Sequence, residues 1–402
     1  MKRLAKILSY TALAVAIAFP ARSQAQKEKE YFYRPVQVTL FTPFGTNGIL
    51  ADRSVNSLSW NILWGVSAGL NGVEFGGLAN IETDFAKGVQ GAGFLNLVSG
   101  PVTGGQFSGF MNMSLGELRG IQSSGFLNIA RKGAGFQGAG FLNISGDFTG
   151  IQGSGFMNIA KNYKGVQGSG FMNVSNNLTG VQGSGFMNVA NQVKGVQGAG
   201  FMNVAGEVEG AQLAGFMNVA KRLNGVQLGF INVCDSLESG APIGFISIVR
   251  NGYQAWELSA GETWNVQLAY RVGIDRFYTQ FLVGAQWLNG ESFYGTGFGI
   301  GTRFGIAGRI KGSADLISYQ VLDHLWYSKG FNFLGQARLT VEGPIAGRLK
   351  WFVGPTFNLL RVTFTYPEPD IVRFFAPWTI YDSTTGIAYL KMWPGISAGL
   401  RF

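Results

Sequence analysis

A fifteen-residue unit repeats through the middle of the chain, which restricts that region to an array of stacked copies. Four copies run end to end from Gly150 to Glu209: GIQGSGFMNIAKNYK, GVQGSGFMNVSNNLT, GVQGSGFMNVANQVK and GVQGAGFMNVAGEVE. The phenylalanine of the unit recurs at Phe94, Phe110, Phe126, Phe141, Phe156, Phe171, Phe186, Phe201, Phe216, Phe230 and Phe245. A glutamine stands four positions before it, as at Gln152, Gln167 and Gln182, and an asparagine two positions after it, as at Asn158, Asn173 and Asn188. Apolar residues flank that asparagine on both sides.

No period of 3.6 fits this pattern, and its glycine content opposes a helix. Alternation in a strand puts Gln, Ala or Ser, Phe and Asn on one face, and Val, Gly, Gly, Met and Val on the other. If each unit is one coil of a parallel β-solenoid, identical side chains lie about 4.8 Å apart along the stack. Asn and Gln then form hydrogen-bonded ladders and Phe stacks. Such ladders satisfy amides that would be costly to bury alone. Glycines one and six positions before the phenylalanine, such as Gly170 and Gly165, let the chain turn, and variable residues such as Lys161 to Lys164 read as an exposed bend.

An antiparallel meander of membrane-spanning strands is the competing arrangement, since ten residues such as 166–175 suffice to span. Its turns would alternate between the two sides of the membrane, and barrels usually have short turns on one side and longer loops on the other. Here every turn looks alike, which favours the solenoid. Gly77 to Ile81 is a degenerate first copy and Gly244 to Ile248 a last one, as expected of capped ends. Two strands, Tyr33 to Phe44 and Ser57 to Leu70, precede the array.

From Trp256 the period changes to longer alternating strands. Trp264, Val266, Leu268, Tyr270, Val272 and Ile274 alternate with Asn265, Gln267, Ala269, Arg271 and Gly273, and the pattern recurs to give eight candidate strands. Strands of about ten residues with aromatic ends fit a transmembrane barrel, although a soluble barrel or sandwich also alternates. Eight strands leave little free lumen, so Glu257, Arg271, Arg303, Arg309, Asp315, Arg338 and Glu342 are expected to form an internal polar network rather than a pore. The final strand, Gly395 to Phe402, places Ile396, Ala398, Leu400 and Phe402 on one face and resembles the C-terminal signal of Gram-negative outer-membrane barrels.

Met1 to Ala25 reads as a secretory signal peptide: a basic start at Lys2, Arg3 and Lys6, an apolar run from Leu8 to Phe19, and Ser23-Gln24-Ala25 before the cut. The lone cysteine, Cys234, excludes an intramolecular disulfide and occupies a slot that Ala or Ser fills elsewhere. Removal of four signal-peptide cations leaves 27 basic against 22 acidic residues, or +5. That mild excess without a basic run does not point to nucleic acid.

Little catalytic chemistry is visible. His324 is the only histidine, so a two-histidine zinc motif cannot form. Asp315, Asp323 and His324 near Ser313 or Ser318 are the closest approach to a hydrolytic set, and His324 reads instead as a solvated loop residue within Leu322 to Gly330. No catalytic residue, metal site or cofactor is assigned.

The whole layout resembles a family of uncharacterised surface-repeat proteins of Gram-negative bacteria. The resemblance rests on Thr42-Pro43-Phe44-Gly45-Thr46-Asn47-Gly48, the Gly-Val-Gln-x-x-Gly-Phe-x-Asn units, and Asn251-Gly252-Tyr253 with Glu257-Leu258-Ser259. It implies an exported envelope protein and carries over no functional residue. The expected organisation is all-β: a signal peptide at 1–25, N-terminal strands and cap at 26–76, a solenoid-like array of about eleven repeats at 77–249, and an eight-stranded outer-membrane-type barrel at 250–402. The expected role is non-enzymatic, with outer-membrane lipid around the barrel and a protein or glycan as the class of partner for the array. The order of array then barrel also resembles an autotransporter, against which eight strands are too narrow to pass a chain. A lipid-modifying outer-membrane enzyme, resting on His324 alone, is the third class.

Overall fold

The computed structural model describes residues 30–288, 291–322, 332–363, 378–385 and 388–402. The proposed signal peptide, Asp323 and His324 lie outside them. Among the described residues the chain is a parallel β-solenoid of about twelve turns and a closed antiparallel barrel of eight strands. It divides into two compact units, at Gly229 and Phe230.

In the first unit each repeat is one coil. The segments Leu142–Ser154, Met157–Ser169, Met172–Ser184, Met187–Ala199 and Met202–Ala214 pair in parallel with each residue beside its equivalent, Asn158 beside Asn173 and Gln167 beside Gln182. This excludes the antiparallel meander. The turn glycine needs its freedom: Gly165 has φ +133°, and a Cβ there would lie 2.0 Å from the carbonyl oxygen of Gly150.

The interior of the stack is polar. Asn and Gln of the repeat are fully buried. Each asparagine Nδ2 donates forward to the next Oδ1, Asn158 to Asn173 at 2.8 Å and Asn173 to Asn188 at 3.0 Å, and also to a backbone carbonyl, as Asn173 does to Gly183 at 2.7 Å. Each glutamine Nε2 donates backward, Gln182 to Gln167 at 2.7 Å and Gln167 to Gln152 at 2.8 Å. The two ladders therefore run with opposite polarity. The glutamine ladder ends where Gln90 donates to Glu74 at 2.8 Å, a carboxylate that can only accept when ionised.

Two sequence expectations about the coil are corrected. Phe does not share the face of Gln and Asn. The chain bends at Gly-Phe, so the two-residue alternation is broken there and the ring turns outward. Phe94 to Phe216 form an external ridge stacked at 4.6–5.0 Å. The segment Lys161 to Lys164 is not wholly an exposed bend either. Tyr163 is buried, as are its counterparts Phe148, Leu178, Val193, Val208 and Leu223, and they supply the apolar part of the interior.

The N-terminal strands extend the same stack. Phe32–Phe41 pairs in parallel with Ser54–Gly76, which pairs with Ala79–Ala92. Gly65 stands beside Asn80, and its missing side chain leaves room for Asn61, four residues earlier, which donates to Asn80 at 2.9 Å and to Glu74 at 2.9 Å. Glu82 is also fully buried, held by the Ser67 hydroxyl at 2.7 Å. Burial and then the Glu74 carboxylate raise its pKa well above 4.5. A raised folded value means that protonated Glu82 contributes stability that is full below the unfolded value, near 4.5, and lost as pH rises through the folded value. Glu82→Gln is expected to leave the denaturation midpoint unchanged at pH 4 and to raise it at neutral pH. Urea titrations of both proteins across that range test this, and parallel profiles would refute it.

The second unit contains the last coil segments, Ile231–Ile243 and Ile246–Val249, and the barrel. Cys234 is buried there in the slot of the small residues. The eight barrel strands are Tyr253–Gly261, Val266–Ile274, Phe277–Leu288, Glu291–Ala307, Ile310–Leu322, Asn332–Ala346, Leu349–Thr363 and Ala388–Arg401. Each pairs with the next, and Glu257 beside Arg401 closes the ring. Three two-residue turns, 275–276, 308–309 and 347–348, lie at the end that also holds Tyr253 and Phe402. The longest connections join the strands at the other end.

Candidate functional site

Three features stand out: the barrel lumen, the outer wall of the barrel, and the surface of the coil stack. The lumen is built in two layers. Towards the short-turn end, Glu257, Arg271, Asp315, Arg338, Glu342 and Arg401 point inward from five strands and are buried. Arg271 contacts Glu257 at 2.7 Å and Asp315 at 2.9 Å. Arg338 reaches the same two carboxylates at 2.8 and 3.1 Å. Arg401 joins Glu257 at 2.8 Å to Glu342 at 2.6 Å and lies over the Phe352 ring. Tyr278 donates to Asp315, and Arg303 binds Glu342 and, at 3.0 Å, Asp275 in a turn. Each guanidinium thus meets carboxylates, the condition under which buried charge is tolerated.

Towards the other end the lumen is filled by Trp264, Phe293, Tyr319, Leu334, Leu360 and Trp393 with smaller apolar neighbours. Tyr319 donates to Gln267 at 2.8 Å. These layers pack the interior as a solid core.

Six of the seven charges expected in the network are there. Arg309 is the exception and is exposed, because Gly308 and Arg309 form a hairpin turn in which Gly308 takes φ +55°. Arg401 was not foreseen. Its alternation with Leu400 and Phe402, one outward and one inward, was the available signal. Asp315 is bound to Arg271 and Arg338, and Ser313 is bound to Thr340 at 2.7 Å, so both belong to the packed interior.

The outer wall has the opposite character. Trp256, Leu258, Leu268, Val283, Ile300, Leu316, Leu339, Val353, Phe357 and Leu400 are exposed large apolar residues. They alternate along their strands with buried inward residues, which are charged on several of the strands and polar or apolar on others, such as Gln280 beside Phe281 and Thr356 beside Phe357.

The coil stack divides its outer surface in a similar way. Val166, Phe171 and their counterparts present an apolar face. All charges from 94 to 229 fall in the variable segment of the unit: eight basic, such as Lys161 and Lys164, and four acidic, such as Asp147 and Glu207. A shallow polar groove runs along this edge, lined by Glu117, Lys132, Asp147, Asn162, Tyr163 and Lys164. Asn177 donates to Asn162 at 2.7 Å and Asn162 donates to Asp147, forming a short ladder across it. Among the described residues no group of three or more His, Cys, Asp or Glu is placed to hold a metal.

No family model matches the chain, and no curated protein or solved structure does either.

Proposed function

We propose that this chain is a non-enzymatic outer-membrane envelope protein, with the barrel as anchor and the coil stack as a structural or binding surface. The observation that carries the reading is the polarity of the barrel. An ion network is buried inside while large apolar residues, Leu316 at 62 % exposure among them, face outward. Water-soluble barrels bury apolar residues and expose polar ones. A wall of the inverse kind matches lipid. Two-residue turns at one end and the longest connections at the other support the same reading.

The solid lumen favours an anchor over a channel or a conduit for a passenger chain. The polar groove along the charged edge of the stack is where a protein or glycan partner would meet regular amide and hydroxyl groups. Export through the signal peptide at 1–25 belongs to the same proposal.

Leu316→Arg tests the anchor. Leu316 sits in the middle of its strand, so in lipid the substitution is expected to cost about 2–4 kcal/mol. On a water-exposed wall it would cost within about 0.5 kcal/mol. Urea titration of the protein folded into vesicles reads the difference. A negligible change, or a mature protein that stays soluble and monomeric without detergent, would overturn the reading.

A further inference from the structure

We infer that the phenylalanine ridge of the coil stack, with the apolar faces beside it, beds into the hydrocarbon of a lipid bilayer while the charged edge stays at the headgroups. The inference rests on the outer-membrane reading and extends it from the barrel to the repeats.

Several observations converge. In each fifteen-residue unit the eleven positions from the turn glycine through Phe to the small residue after Val, Gly165 to Ser175 in one copy, carry no charge anywhere from 94 to 229. The outward side chains there are apolar: Val181 is 42 % exposed and Phe186 37 %. The twelve charges of this stretch occupy the remaining segment, on one edge, with eight basic against four acidic. A surface apolar along one side and basic along the other suits a membrane interface with anionic headgroups.

The interior permits immersion. The amide ladders satisfy the buried Asn and Gln within the stack, and neighbouring coils satisfy the backbone through parallel pairing. A bilayer would therefore desolvate no ladder amide, and the unpaired hydroxyls beside the ridge, those of Ser154, Ser169 and Ser184, are already buried within the stack.

Length sets the orientation. The eight steps from Phe94 to Phe216, each 4.6–5.0 Å, make a ridge of roughly 39 Å. That exceeds a hydrocarbon layer of about 30 Å. A stack crossing the bilayer would carry its charged edge through the apolar layer, whereas a stack lying in the membrane plane keeps every charge at the water side.

The second unit shows the ridge position meeting a lipid-facing wall. Phe230 stacks on Phe245 at 5.0 Å. Phe245 stacks on Phe298 at 4.5 Å and meets Phe281 edge-on at 5.4 Å. Phe281 and Phe298 belong to the outward set of barrel residues, alternating with inward Gln280, Leu282 and Gly299. The ridge and the wall are thus one continuous apolar surface in this unit. A second copy is less suited to the ridge, because identical steps offer a protein partner no preferred register, and lipid needs none.

The test uses the full mature chain with Cys234→Ala, since Ala occupies that slot in Ala205 and Ala220. Single cysteines replace Val181 on the apolar face, Lys194 on the charged edge, or Leu268 on the outer barrel wall. Ile151→Cys duplicates Val181 should that variant fold poorly. Each protein is spin-labelled and reconstituted in phosphatidylcholine–phosphatidylglycerol vesicles. Collision with oxygen marks lipid and collision with a water-soluble nickel chelate marks water. The expected result is oxygen-dominated collision at 181 and 268, and several-fold greater nickel accessibility at 194. Nickel access at 181 with oxygen access at 268 overturns this inference and leaves the barrel anchor standing. Nickel access at 268 overturns the anchor, and this inference with it. Shielding of 181 from both reagents marks protein contact and overturns the lipid assignment in favour of a second copy.

Discussion

Glu257→Ala should cost about 3–5 kcal/mol and leave most of the protein unable to close its barrel, because it strips a shared carboxylate from three buried guanidiniums. Arg271, Arg338 and Arg401 all contact Glu257 at 2.7–2.8 Å in a layer closed to water. Asp315 and Glu342 remain, so an excess of positive charge would be trapped in a lumen whose strands cannot relax outward into solvent. Glu257 also stands beside Arg401 at the closing seam. The measurement is the folded fraction in detergent or vesicles, and the temperature at which it is lost. An unchanged melting temperature would show that the network does not hold the seam. Replacing the whole set by apolar residues of similar volume should be far less harmful than removing Glu257, since the damage lies in the uncompensated charge.

The second large effect is expected in the stack. Asn173→Ala removes a side chain that donates to Gly183 and Asn188 and accepts from Asn158. The Asn188 oxygen and the Gly183 carbonyl lose a donor, and the Asn158 amide nitrogen is left with Gly168 as its one acceptor while its oxygen still accepts from Asn143. At about 1–3 kcal/mol for each buried group left unsatisfied, a net loss near 3 kcal/mol is expected. Lys194→Ala, on the exposed edge, should stay within about 0.5 kcal/mol. Urea unfolding of the two variants beside the parent protein separates them. Equal midpoints would mean that the ladder does not hold neighbouring coils together.

Much of this was legible from residue spacing. A strict interval between asparagines implies that they meet, and only a parallel stack makes identical positions meet, so the ladders followed from the sequence of the repeat. The barrel followed from alternation of Leu268, Tyr270 and Val272 with Gln267, Ala269 and Arg271. What escaped were the places where the two-residue alternation breaks. The Gly170-Phe171 corner turns the ring outward, and a strand pattern has no symbol for a corner. Tyr163 was hidden among charged and amide neighbours, although Phe148, Leu178, Val193, Val208 and Leu223 at the same offset mark the position as interior. The N-terminal coils escaped because Asn61 reaches its ladder slot from four residues away, beside Gly65. For the lumen, inward strand positions were legible, but the boundary between strand and turn was not. Alternation alone therefore predicts Arg309 inside, where a turn exposes it, and the apolar face of the last strand does not by itself mark Arg401, which is buried.

Uniform parallel register has a consequence for how such a chain can change over generations. Every coil enters and leaves its neighbour's ladder at the same point, so inserting or deleting one fifteen-residue unit shifts all later coils by one step without reversing any strand. An antiparallel sheet would tolerate such changes only in pairs. Gain or loss of one unit would yield a stack longer or shorter by about 4.8 Å. The stack can therefore take up or lose a whole coil without repacking its neighbours, whereas the barrel, with its fixed closure between Glu257 and Arg401, cannot take up a strand in the same way.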